Sequence, residues 1–203
     1  LYHDKFKNLR TFFAYMMAHP GKKLMFMGQE FAQFIEWNYE QQLDWLLLDY
    51  DIHKQTQQFV KKLNEFYKKT PAFWQNDYSW DGFSWIAADD NEQSVIAFRR
   101  IDNKKKEIIT VCNFVPVRRE NYRIGVPHKG TYKVVLNTDD KAFGGEGLVK
   151  KVSYKASAKP MHGFDYSIEL DIPPLSALYL EKSAATKKTT SATKKQVVKK
   201  DEK

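Results

Sequence analysis

The sequence predicts two architectures in succession, an α/β segment followed by an all-β antiparallel sandwich. Apolar residues first recur at three- and four-residue steps, and a short unbroken apolar run then stands between Gly21 and Gly28. Beyond Pro71, seven short β-rich segments follow one another with turns and no helix between them.

Phe6, Leu9, Phe12, Phe13, Met16 and Met17 mark an amphipathic helix from about Asp4 to Ala18, which His19-Pro20-Gly21 terminates. Lys23-Leu24-Met25-Phe26-Met27-Gly28 reads as a buried strand, because it lacks the polar alternation of a strand with one wet face. From Gln29 to Asp49 the periodicity disappears while Trp37, Asn38, Asp44 and Trp45 accumulate, the composition of a long functional loop. A second helix from about Asp51 to Lys69 carries Ile52, Phe59, Val60, Leu63, Phe66 and Tyr67 on one side, and Thr70-Pro71 ends it.

The strands expected beyond the boundary are Phe83 to Ala88, Ser94 to Arg100, Glu107 to Phe114, Asn121 to Gly125, Thr131 to Leu136, Tyr166 to Asp171 and Leu175 to Leu180. The division that follows is residues 1–75, residues 76–182, and a Lys/Thr-rich tail at 183–203. The tail has too few apolar groups to offset the entropy of ordering and is expected to be disordered. With 42% hydrophobic and 15% aromatic residues, the rest of the chain has ample apolar surface for a core.

The formal charge of +8 is unevenly placed: the tail contributes +5 and residues 1–182 only +3. Nucleic-acid binding calls for cations interleaved with rings on a folded face, so no nucleic-acid partner is expected from a ringless lysine tail. No apolar stretch approaches the roughly 20 residues of a membrane span. Cys112 is the sole cysteine and lies in an apolar run, as a small buried hydrophobe would, and the lack of any possible disulfide within the chain suits the cytoplasm. His19, His53, His128 and His162 are scattered without ligand spacing, and Asn137-Thr138-Asp139-Asp140 followed by Phe143-Gly144-Gly145 has turn composition, so neither a metal nor a cofactor is expected.

Longer strings carry more specific information. Asp4-Lys5-Phe6-Lys7-Asn8-Leu9-Arg10, Tyr15 to Gly28, Glu30-Phe31, Glu36-Trp37-Asn38 and Leu43-Asp44-Trp45 resemble the bacterial 1,4-α-glucan (glycogen) branching enzymes of the α-amylase superfamily. Asn113-Phe114-Val115-Pro116-Val117, Tyr122-Arg123-Ile124-Gly125 and Leu136-Asn137-Thr138-Asp139 continue the resemblance in family order. It implies the terminal piece of a (β/α)8 barrel, with Leu24 to Met27 as its eighth strand, followed by an antiparallel β-sandwich domain.

The chemistry implied is retaining transglycosylation, in which an α-1,4 glucan is cleaved through a covalent glycosyl-enzyme and passed to a 6-hydroxyl. This needs two carboxyl groups about 5 Å apart, one as nucleophile and one as acid. The family takes its nucleophile, acid/base and third acidic residue from positions that fall upstream of Leu1, so the chain is expected to be an inactive carboxy-terminal fragment. His3-Asp4 resembles the third acidic site only superficially, since its register places Asp4 at a helix start, where an acid complements the helix dipole.

The substrate-binding candidates are Glu30, just past the carboxyl end of the expected strand, and Trp37 and Trp45, whose rings suit stacking on sugar C–H faces. Structural loop contacts are the competing reading for each. Trp74, Tyr78, Trp80, Phe83 and Trp85 crowd the boundary and are expected to cement the two parts, an accessory glucan-binding surface being the alternative. The expected partners are an α-glucan (glycogen or amylose) and the missing amino-terminal part of the barrel. A stand-alone carbohydrate-binding sandwich is the alternative for the whole chain.

Overall fold

A computed structural model describes residues 2–184. Of the tail expected at 183–203, residues 185–203 lie outside the described residues. The elements run α1 (Tyr2–Ala18), α2 (Asp51–Lys69), β1 (Phe83–Asp90), β2 (Val95–Ile101), β3 (Glu107–Asn113), β4 (Arg119–Val126), β5 (Thr131–Asn137), β6 (Ser153–Lys155), β7 (Tyr166–Ile172) and β8 (Ser176–Lys182), with short 3-10 turns between some of them.

Six strands form one antiparallel sheet in the order β1-β2-β3-β8-β5-β6, and β4 pairs with β7 in a second. The fold is therefore mostly antiparallel β, with two helices laid on it. Side chains alternate across a strand, so a strand covered on both faces must be apolar on both. In β3, Ile109 and Val111 join the core under the β4/β7 sheet, while Ile108 and Cys112 join the core under the helices. β8 divides in the same way, sending Leu178 and Leu180 to one core and Ala177 and Tyr179 to the other.

That second core contains Phe13, Ala14 and Met17 of α1 and Phe59, Val60 and Leu63 of α2. The Tyr179 hydroxyl, wholly buried, donates to the Ala14 carbonyl at 2.5 Å. Two interior cations add direction to the contact. Arg10 of α1 donates to the carbonyls of Thr138 (3.1 Å) and Gly144 (3.4 Å). Burial brings its ionisation down to about 10, against the opposing pull of Asp139. Arg100 of β2 is fully buried and donates to Ala18 O (2.8 Å), Gly82 O (3.1 Å) and Asp77 Oδ1 (2.6 Å). It ties the carboxyl end of α1, whose last carbonyls lack helical partners, to the first strands of the sheet.

The turn expected after Leu136 forms as a dense knot. Asp139 accepts from the backbone amides of Glu146 (2.9 Å) and Leu148 (2.7 Å), and Asp140 caps the 3-10 turn Lys141–Phe143 through Ala142 N. A side chain at Gly145 would bring its Cβ within 2.2 Å of the Asp139 backbone, so the knot closes only with glycine there.

Two expectations need correction. Lys23 to Gly28 is not a strand: no described strand lies beside it, and a strand exists only where its amides and carbonyls find a neighbouring ladder. Its apolar pattern is left in the open, with Leu24 76% exposed and Phe26 and Met27 about half exposed. No barrel piece is formed by the chain as it stands. Among the boundary aromatics only Phe83 is buried; Tyr78 and Trp80 (80% exposed) project into solvent from the loop before β1, and Trp74 and Trp85 are partly covered. Asp4, in the first turn of α1, faces Lys7 at 3.8 Å, as expected of a helix-start acid.

Candidate functional site

The segment between α1 and α2 is held by its own backbone rather than by a sheet. Gly28 adopts φ +83° and turns the chain into the 3-10 turn Gln29–Phe31, after which Ala32 is also left-handed (φ 60°). Gln33 N donates back to Gly28 O at 3.0 Å, and a Cβ at Gly28 would approach Gln33 Cβ to 2.9 Å. Gln29 Oε1 accepts from Phe26 N (2.8 Å), and Gln33 Oε1 accepts from Asp44 N (2.8 Å), pinning the two ends of the loop together.

Phe31 is fully buried beneath this turn, and its carbonyl meets His53 Nδ1 at 2.8 Å. A carbonyl only accepts, so the proton sits on Nδ1. The His53 ring lies in α2 between Phe6 and Phe34, at centroid distances of 5.0 and 5.2 Å. The loop is thus fastened to α2 at Phe31, next to Glu30, and the His53 ring in turn packs on Phe6 of α1.

Glu30 is half-buried and has no hydrogen-bond or ion-pair partner among the described residues. Trp45 stacks at a tilt on Phe31 (5.3 Å, 33°) and keeps 49% of its surface exposed. Trp37 stands edge-on to Phe26 (5.3 Å, 83°) and is 41% exposed. The structure therefore joins Trp45 to Phe31, the residue that follows Glu30, while Trp37 belongs to a separate aromatic pair. Asp44 is engaged through its backbone amide, as a loop position would be.

An acceptor without a partner and two half-exposed indoles on one anchored loop are chemically suited to binding hydroxyl-rich ligands by hydrogen bonds and C–H stacking. Among the described residues no three His, Cys, Asp or Glu side chains converge as a metal would need, and no helix is long and apolar enough to cross a membrane. Sequence reasoning missed the anchor, His53 on Phe31 O, because a lone histidine on an amphipathic helix gives no hint of its distant partner.

Residues 85–183 match the family model of the alpha amylase C-terminal all-beta domain. The chain is 51% identical over 181 residues to a 1,4-alpha-glucan branching enzyme of Halothermothrix orenii and 49% identical over 181 residues to one of Aquifex aeolicus. Each alignment covers 89% of this chain and 29% of the relative, so the chain spans less than a third of the curated relatives' length. Among solved structures it resembles the catalytic module of the multi-modular glycogen-degrading pneumococcal virulence factor SpuA, with TM-score 0.63, 14% identity, and 91% of this chain and 32% of that one covered. It also resembles Ttha1563 from Thermus thermophilus, with TM-score 0.59, 16% identity, and 87% and 31% covered; at such identities the likeness speaks for the fold alone. With half its residues shared along nearly all of its described length, the chain is similar to a carboxy-terminal portion of the 1,4-alpha-glucan branching enzymes, and the match to the alpha amylase C-terminal all-beta domain supports that likeness.

Proposed function

We propose that the chain is the carboxy-terminal part of an enzyme that cuts an α-1,4 glucan by retaining transglycosylation and rejoins it to a 6-hydroxyl, making the α-1,6 branches of glycogen. The observation that carries this reading is the 51% identity over 181 residues with a branching enzyme of which the chain spans 29%. The carboxylates of the reaction then belong to the part of the relatives that the chain does not match, and the chain alone is inactive.

On this reading residues 1–75 close a (β/α)8 barrel and residues 76–182 form the domain packed beside it. Lys23 to Gly28 pairs as the eighth strand once its neighbours are supplied, which covers the now exposed Leu24, Phe26 and Met27. The loop after it stands at the carboxyl end of that strand, where barrel enzymes build their sites. There Glu30 accepts a hydrogen bond from a sugar hydroxyl, and Trp37 and Trp45 offer ring faces to glucose units. The partners are an α-glucan and the remainder of the barrel, and the whole works in the cytoplasm. A free-standing binding module is less well supported, because α1 and α2 share a core with the sheet.

The test is an iodine-staining branching assay on the chain alone and on the chain fused behind the remaining amino-terminal part of the Halothermothrix orenii enzyme. The fusion should branch amylose and the chain should not. Turnover by the chain alone, or an inert but folded fusion, overturns the reading.

A further inference from the structure

An open cavity of about 720 Å³ lies at one end of the sandwich, and no residue of the loop described above lines it. It forms where the β2–β3 connection, the β4–β5 connection and the chain leaving β8 converge, and Lys105, Lys106, Lys129, Lys133 and Lys182 line it. The lining holds two carboxylates, and both are already committed. Glu181 pairs with Lys106 at 2.7 Å, and Glu107 pairs with Arg99 at 3.1 Å and meets His128 Nε2 at 3.2 Å.

Lys105, Lys129, Lys133 and Lys182 are exposed and have no carboxylate within ion-pair distance among the described residues. Ser183 also lines the wall, and its Oγ is buried without a hydrogen-bond partner among those residues. The sequence beyond Ala184 carries seven further lysines against Asp201 and Glu202. Four uncommitted ammonium groups around one concavity create a positive potential that the two committed carboxylates do not cancel.

The lining narrows the kind of anion. Of the two rings in the wall, Tyr132 is buried and its hydroxyl donates to His128 O (3.0 Å), while the exposed His128 imidazole is engaged with Glu107 through Nε2 (3.2 Å), so the wall offers no exposed phenol or indole face for stacking. No arginine fork lines the cavity to grip a planar carboxylate in two-point fashion, whereas ammonium groups act as point charges suited to phosphate oxygens. We infer that this end of the sandwich is a binding site for a linear chain of phosphate groups, with Lys129, Lys133, Lys105 and Lys182 as its cationic wall. The site is independent of the glucan reading, since none of these residues belongs to the loop that carries it.

The experiment is calorimetric titration of the full chain with tripolyphosphate at 150 mM salt (an ionic strength of roughly physiological screening), beside orthophosphate and dextran sulfate. Lys129→Gln/Lys182→Gln is compared with Lys54→Gln/Lys68→Gln, which removes the same charge from α2. The pocket variant should weaken tripolyphosphate binding by about tenfold or more, while the α2 variant leaves it within twofold, a margin that roughly covers diffuse charge effects. Equal losses in both variants, absent tripolyphosphate binding, or equally tight dextran sulfate binding overturns the inference. Thermal unfolding checks that each variant folds, and Lys105→Gln/Lys133→Gln supplies a second reading if the first pair fails that check.

Discussion

Arg10 and Arg100 hold carbonyl groups from distant segments, and neither role is visible in the sequence, where a long cation reads as surface. Replacing Arg100 by Met leaves the buried Asp77 carboxylate with only the exposed Lys22 at 4.0 Å as a cation, and we expect a loss of roughly 3–5 kcal/mol in denaturant unfolding. Arg100→Met combined with Asp77→Leu should recover part of that loss, and a double variant no more stable than the single one would contradict the account. His162 gives a pH-dependent counterpart. Its Nδ1 accepts from Gly125 N (3.2 Å), and burial pushes its ionisation below the usual imidazole value, as it also does for His19. A group whose folded value is depressed lets the unfolded chain take up protons first, so stability should hold above pH 6.5 and fall as acid is added below it. His162→Asn, whose amide oxygen accepts the same bond without titrating, should flatten that fall. Glu30, Trp37 and Trp45 were legible as candidates from residue type and place in the chain, but their surroundings were not, because Phe26, Phe31 and His53 come from three different stretches.

At the scale of elements, the helices and seven of the eight strands were legible, α2 to the residue, because amphipathic periods and turn clusters are local signals. β6 was not: three residues carry too little alternation to stand out, and its place is set by pairing with β5. The misread element is Lys23 to Gly28, whose apolar run stays uncovered because no described strand pairs with it. If that run is a stave awaiting its partners, its amides should exchange rapidly in the isolated chain. In the fusion with the amino-terminal part they should gain protection of about a hundredfold or more, measured by hydrogen exchange. Equal exchange in both settings would remove the barrel assignment. Trp45→Ala in the active fusion tests the adjoining loop: losing one stacking face should raise KM for amylose by about two- to tenfold with kcat little changed.

For the molecule as a whole, the core that joins α1 and α2 to the sheet argues against cutting at the compositional boundary. A chain reduced to Trp80–Lys182 would expose Phe98, Ile108, Cys112, Leu136 and Tyr179 on one face. We expect it to bind a hydrophobic dye strongly and to aggregate; a monomeric, cooperatively folding product that is retained on glycogen would favour the stand-alone module instead. Composition could locate the change of grammar near Pro71 but not the contact across it, since contact between segments more than a hundred positions apart leaves no local trace. The order of the large sheet carries one last consequence. β8, the last of the described strands to be translated, is seated between β3 and β5, so the ribosome releases β3 and β5 before the strand that joins them exists. Until Ser176–Lys182 emerges the nascent sheet is two separate halves with open inner edges, and a stop codon anywhere before that stretch should yield a product that chaperones and proteases remove rather than a shortened but native protein.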